Sequence, residues 1–121
     1  MRVIVCGGRN FRSPAQVRRE LDRLHAQFGF TALMHGGCPT GVDKFAAEWG
    51  RQRADVDVWV CRADWERLGR NAGPLRNAKM LTWGPDMVIA FPGGVGTADM
   101  TERAERLGFA VLRVLQDERN G

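Results

Sequence analysis

Apolar positions along this chain follow two alternating rhythms. Short continuous runs, such as Val3-Ile4-Val5, Leu33-Met34 and Met87 to Phe91, read as strands buried on both faces. Between them lie longer stretches in which apolar residues recur every three or four positions, the period of a helix. The runs predict strands over Arg2–Cys6, Thr31–His35, Val56–Val60, Met87–Phe91 and Phe109–Leu115, with Asp57 interrupting the third. The first helix starts near Ser13-Pro14, a capping residue before a proline. It carries the stripe Val17, Leu21, Leu24 and Phe28, and ends at Gly29. A second helix runs from about Thr40 to Arg53 with Val42, Phe45, Ala46 and Trp49 inward. An irregular stretch, Arg62 to Gly73, precedes a third from about Pro74 to Trp83, with stripe Leu75, Ala78 and Leu81. That phase leaves Met80 and Trp83 outside the stripe as exposed apolar surface. The last helix covers Thr97 to Leu107, with Met100, Ala104 and Leu107 inward.

Strands joined by helices require a parallel sheet with right-handed crossovers and helices on both faces. The first and fourth strands are the most continuously apolar and belong inside. The third and fifth carry Asp57 and Arg113 and suit edges. The expected fold is α/β, a Rossmann-like doubly wound sheet of order 3-2-1-4-5, forming one domain over residues 1–121. Its ligand crevice lies at the carboxyl ends of strands one and four, where the order switches direction.

Three glycine-rich turns follow predicted strands: Cys6-Gly7-Gly8-Arg9, His35-Gly36-Gly37 with Gly41, and Pro92-Gly93-Gly94-Val95-Gly96-Thr97. The last opens onto a helix N-terminus, where free N–H groups and the helix dipole favour phosphate, and Thr97 caps the helix or donates its hydroxyl. Gly7, Gly8, Gly36 and Gly37 shape the crevice, and Arg9 is suited to neutralising the anion. Asp43, near the start of the second helix, either binds a ribose hydroxyl or complements the helix dipole. Trp65 either stacks on a base or closes a small core, and Asp64 caps a short helix. His35 reads as a satisfied strand-end residue.

The net charge of +4 concentrates in two arginine-rich stretches, Arg2–Arg23 and Arg62–Lys79. That keeps nucleic acid in view as a third reading, although no helix-turn-helix or aromatic stacking sheet accompanies it. No apolar run spans a bilayer, and the chain is expected to lack a signal peptide and a membrane partner. Cys6, Cys38 and Cys61 are an odd number without a CxxC pair, which points to a reducing cytoplasm and away from a metal site. No cofactor is expected.

These segments, together with Ala63-Asp64-Trp65, Ala72-Gly73-Pro74, Arg76-Asn77 and Met80, resemble the YspA-like branch of the SLOG superfamily along the whole chain. The superfamily includes the LOG-type phosphoribohydrolases and the Rossmann-like domain of DNA-processing protein A. The resemblance implies sensing or processing of a nucleotide or nucleotide-derived ligand, brings Arg76 and Asn77 into its site, and implies a homodimer or higher homo-oligomer. LOG-type enzymes cleave base from ribose 5'-monophosphate with an arginine, matched by Arg76, and a glutamate in Pro-Gly-Gly-x-Gly-Thr-x-x-Glu. That glutamate is Met100 here. A thioether neither stabilises an oxocarbenium-like sugar nor activates water. A phosphoribohydrolase is therefore the alternative to binding, with Arg76 and Asp43 as its catalytic candidates.

Overall fold

A computed structural model describes residues 1–117. The domain reading extends to Gly121, so its last four positions lie outside the described residues. Five strands, β1 (Arg2–Cys6), β2 (Ala32–His35), β3 (Asp57–Val60), β4 (Met87–Ala90) and β5 (Ala110–Arg113), form an all-parallel sheet of order β3-β2-β1-β4-β5. This is the expected α/β Rossmann-like arrangement. In β1, Val3 and Val5 enter one core and Ile4 the other, all fully buried. Such two-sided burial explains why interior strands read as unbroken apolar runs. On the edge strands Asp57, Trp59, Val60 and Arg113 are exposed.

Helices α1 (Pro14–Phe28) and α2 (Gly41–Arg51) cover the first core. Helices α4 (Ala72–Thr82) and α5 (Val95–Arg106) cover the second, which contains Met80, Leu81, Met100 and Ala104. The Ser13 hydroxyl caps α1 by accepting from the Gln16 N–H at 3.2 Å. Leu21 and Leu24 are fully buried, each contributing about 2 kcal/mol relative to exposure.

Two predicted stripes end one residue too far, for the same reason. Phe28 and Leu107 are exposed. In each case a left-handed glycine, Gly29 (φ 69°) or Gly108 (φ 86°), turns the chain back, and the next residue packs inward instead. Phe30 is 2% exposed and joins the first core; Phe109 packs against the second.

The irregular stretch contains a short helix, α3 (Trp65–Leu68), and a 3-10 turn, Gly69–Asn71, before α4. Helix α4 begins at Ala72, not Pro74, and its buried face is Ala72, Gly73, Asn77, Met80 and Leu81. A polar residue in that face hid the stripe from an apolar reading. Leu75 is therefore exposed and Met80 buried, while Trp83 is half-buried with the Arg2 guanidinium 5.0 Å from its ring centre. The free apolar surface expected at Met80 and Trp83 is absent. Helix α5 likewise begins two residues early, so Thr97 is its third residue and Gly94 occupies the cap position, without a side-chain bond.

Candidate functional site

A crevice of about 840 Å³ opens at the carboxyl ends of β1 and β4, where the sheet order reverses and α/β folds hold ligands. The turns after β1, β2 and β4 all line it, but their backbones are used differently.

The turn after β2 is closed on itself. Cys38 N–H donates to the Asp43 carboxylate at 3.1 Å, and the Gly36 N–H favours the charged form of the same carboxylate. Gly37 N–H donates to His35 Nδ1 at 3.0 Å. Gly36 O accepts from Arg76 Nη1 at 2.9 Å, and Gly37 O from Arg62 Nη1 at 3.0 Å. Asp43 reaches back from the first turn of α2, much as a capping-box residue does. Burial pushes its pKa up, opposed by the Cys38 N–H, the Arg76 charge and the Gly36 N–H. The bond to Gly37 makes Nδ1 of His35 an acceptor and puts the ring proton on Nε2, which is buried without a partner among the described residues, so this histidine is not the fully satisfied strand-end residue expected. Burial, then the charges of Arg51 and Arg62, lower the His35 pKa to about 4.

The turn after β1 is also largely committed. Gly8 N–H donates to Pro92 O at 2.9 Å, and Gly8 O accepts from Phe11 and Val42, each at 3.2 Å. Gly41, the first residue of α2, has φ 71°, and a Cβ there would lie 2.7 Å from Arg9 Cα. Both facts demand glycine. The thiol of Cys6, on the crevice floor, is pushed up to about 12 by burial and by the Asp43 charge, against Arg76. It is no nucleophile at neutral pH.

The turn after β4 is different. Gly93 packs so closely on the β1 turn that a Cβ would sit 2.8 Å from Gly8 N. Beyond it, Val95, Gly96 and Thr97 form the first turn of α5, whose N–H groups have no carbonyl within the helix to bond. The Thr97 hydroxyl folds against Gly93 and has no hydrogen-bond partner among the described residues. At Gly94 a Cβ would meet nothing within 4 Å.

Behind this turn runs a polar chain. Arg76 Nε donates to Asn77 Oδ1 at 3.0 Å. Asn77, 3% exposed, donates to Gly96 O at 3.1 Å and to Asp99 Oδ2 at 3.0 Å. Arg103 Nε holds Asp99 at 2.8 Å. Asn77 thus ties α4 to the start of α5.

Of the predicted residues, Gly7, Gly8, Arg9, Gly36, Asp43, Trp65, Arg76, Asn77, Pro92, Gly93, Gly94, Gly96 and Thr97 line the crevice; Gly37 does not. Trp65 is 54% exposed rather than closing a core, and Asp64 caps α3 by accepting from Arg67 N–H at 3.3 Å. Met100 borders the crevice but is 1% exposed, a core residue. Asp99 and Arg70 also line it. Asp99 follows Val95 by four residues, one helical turn, and was recognisable only with the true start of α5. Arg70 stands in a 3-10 turn with no periodic signal. Among the described residues no three His, Cys, Asp or Glu side chains gather to hold a metal ion, and no helix is long and apolar enough to cross a membrane.

The model of the YspA, cpYpsA-related SLOG family matches residues 1–68. Gene 61 protein of Mycobacterium phage D29 is 36% identical over 118 residues, covering 92% of this chain and 94% of the phage protein. On the match to that model and the fold that carries it, the chain belongs to the YspA, cpYpsA-related SLOG family.

Proposed function

We propose that the chain senses or processes a nucleotide or nucleotide-derived ligand, held by a phosphate on the first turn of α5. One observation carries this reading: of the three glycine turns at the crevice, the one after β4 opens directly onto a full turn of helical N–H groups without intrahelical partners, beside a Thr97 hydroxyl that has no hydrogen-bond partner among the described residues. Trp65, an exposed residue lining the same crevice beside Gly73, supplies an aromatic ring for a base. Family membership supports a nucleotide-related role in general terms.

Binding is favoured over N-glycoside cleavage. The position that holds the LOG-type glutamate is the buried Met100. Asp43 already accepts the Cys38 N–H, and Asp99 is held by Asn77 and Arg103. Cleavage needs interactions that strengthen in the transition state, which phosphate contacts alone do not supply. Three unbridged cysteines suit a reducing cytoplasm. Self-association rests on the LOG-type resemblance and is read by light scattering. The function is tested by a thermal-shift screen of nucleotides, in which a ligand at a hundredfold excess over Kd adds about 2.7 kcal/mol. The same mixtures are expected to release no free base. Rapid base release abolished by Arg76→Ala would instead establish the hydrolase.

A further inference from the structure

The α5 turn offers amide dipoles but no full positive charge. Arg76, in the same crevice, is already bonded to Gly36 O and Asn77. Two other arginines line the crevice, Arg9 and Arg70. Both side chains are exposed, and neither guanidinium has a hydrogen-bond or ion-pair partner among the described residues. They stand on different turns at the rim. Arg9 lies on the turn leading from β1 to α1, and Arg70 on the 3-10 turn before α4. The crevice carboxylates do not neutralise them, since Asp43 and Asp99 are satisfied by their own donors. The residue before Arg9 packs on the phosphate turn: a Cβ on Gly8 would lie 3.2 Å from Gly93 Cα. A single phosphate on α5 would leave both guanidiniums unused in a crevice of about 840 Å³.

We infer that the ligand carries two linked phosphate groups, one on the first turn of α5 and the second between Arg9 and Arg70. The ligand class is then a nucleoside diphosphate or a longer nucleotide containing a pyrophosphate linkage, not a nucleoside monophosphate. This rests on the nucleotide reading of the crevice. A guanidinium fork matches two phosphate oxygens, and such charge-assisted bonds are about twice as strong as neutral ones.

The test is calorimetric titration of the full chain with inorganic phosphate, pyrophosphate, AMP and ADP. Pyrophosphate is expected to bind at least about tenfold more tightly than phosphate, and ADP than AMP, the scale of one charge-assisted bond. Arg9→Ala and Arg70→Ala should each remove most of that gain, so that each variant binds ADP and AMP with affinities within about threefold of one another. Arg18→Ala, which deletes the same charge from the exposed side of α1, should preserve the gain and exclude a general charge effect. Equal affinity for AMP and ADP, or a gain untouched by both crevice variants, overturns the inference, as does failure of pyrophosphate to bind at millimolar concentration. If pyrophosphate binds through Arg9 and Arg70 but nucleotides bind no better than it does, the two-phosphate subsite stands and the nucleotide reading fails.

Discussion

The turns after β2 and β4 have the same outline: a strand, a pair of glycines, then a helix. In the first, Asp43, His35, Arg62 and Arg76 consume the C=O of Gly36, the N–H and C=O of Gly37 and the N–H of Cys38. In the second, no side chain among the described residues binds the first amides of α5, and Gly96 O is taken by Asn77. One turn is a braced wall and the other an open anion cradle. The difference teaches that glycine spacing marks where a backbone comes close, whereas the surrounding side chains decide whether its donors remain for a ligand.

If the β2 side is a braced wall, damage there should unfold the protein. The largest effect is expected at Gly41, where φ 71° and the nearby Arg9 backbone exclude any side chain. Gly41→Ala should cost about 4 kcal/mol or more, read from urea unfolding. A loss below about 1 kcal/mol would mean that the α2 start yields easily.

Next is Asp43→Ala, which strands the Cys38 amide and removes the carboxylate beside Gly36. Roughly 3 kcal/mol should be lost, with Asp43→Asn recovering part through its carbonyl oxygen. Equal stability of Asp43→Ala and the parent would show that the carboxylate does not brace the turn.

The effect of pH is smaller. His35 has its pKa lowered to about 4 from 6.5, so its contribution is complete above 6.5 and is lost as pH falls toward 4. Between about pH 7 and about pH 5 this amounts to roughly 2 kcal/mol. Asp43, with a raised pKa, acts in the opposite sense: its contribution is present below 3.8 and lost as pH rises through its folded value. The His35 component is isolated by comparing urea midpoints of the parent and His35→Gln, whose slope over this window should be flatter. Identical slopes would remove His35 as the titrating group.

Much of this was legible in the chain. The strand order followed from which apolar runs were unbroken, and the crevice from the order. What escaped was set by geometry that periodicity does not carry. Phe30 and Phe109 replaced Phe28 and Leu107 because a glycine reverses the chain just past each helix. The inward face of α4 contained Asn77, a polar residue whose burial is licensed by Gly96 O and Asp99 on another helix. Nor could glycine spacing distinguish a spent amide from a free one. That depends on Asp43 and Arg76, which reach the β2 turn from different helices.

The most direct measurement of the open-cradle claim is nucleotide-induced stabilisation of Gly94→Val. A Cβ at Gly94 meets nothing within 4 Å, so the substitution should change the stability of the free protein by no more than about 1 kcal/mol. Its branched side chain would nevertheless stand at the cap of α5, where the phosphate belongs. The account predicts a folded protein whose melting temperature no longer rises with the nucleotide that stabilises the parent. A Gly94→Val protein that keeps the full rise would contradict it.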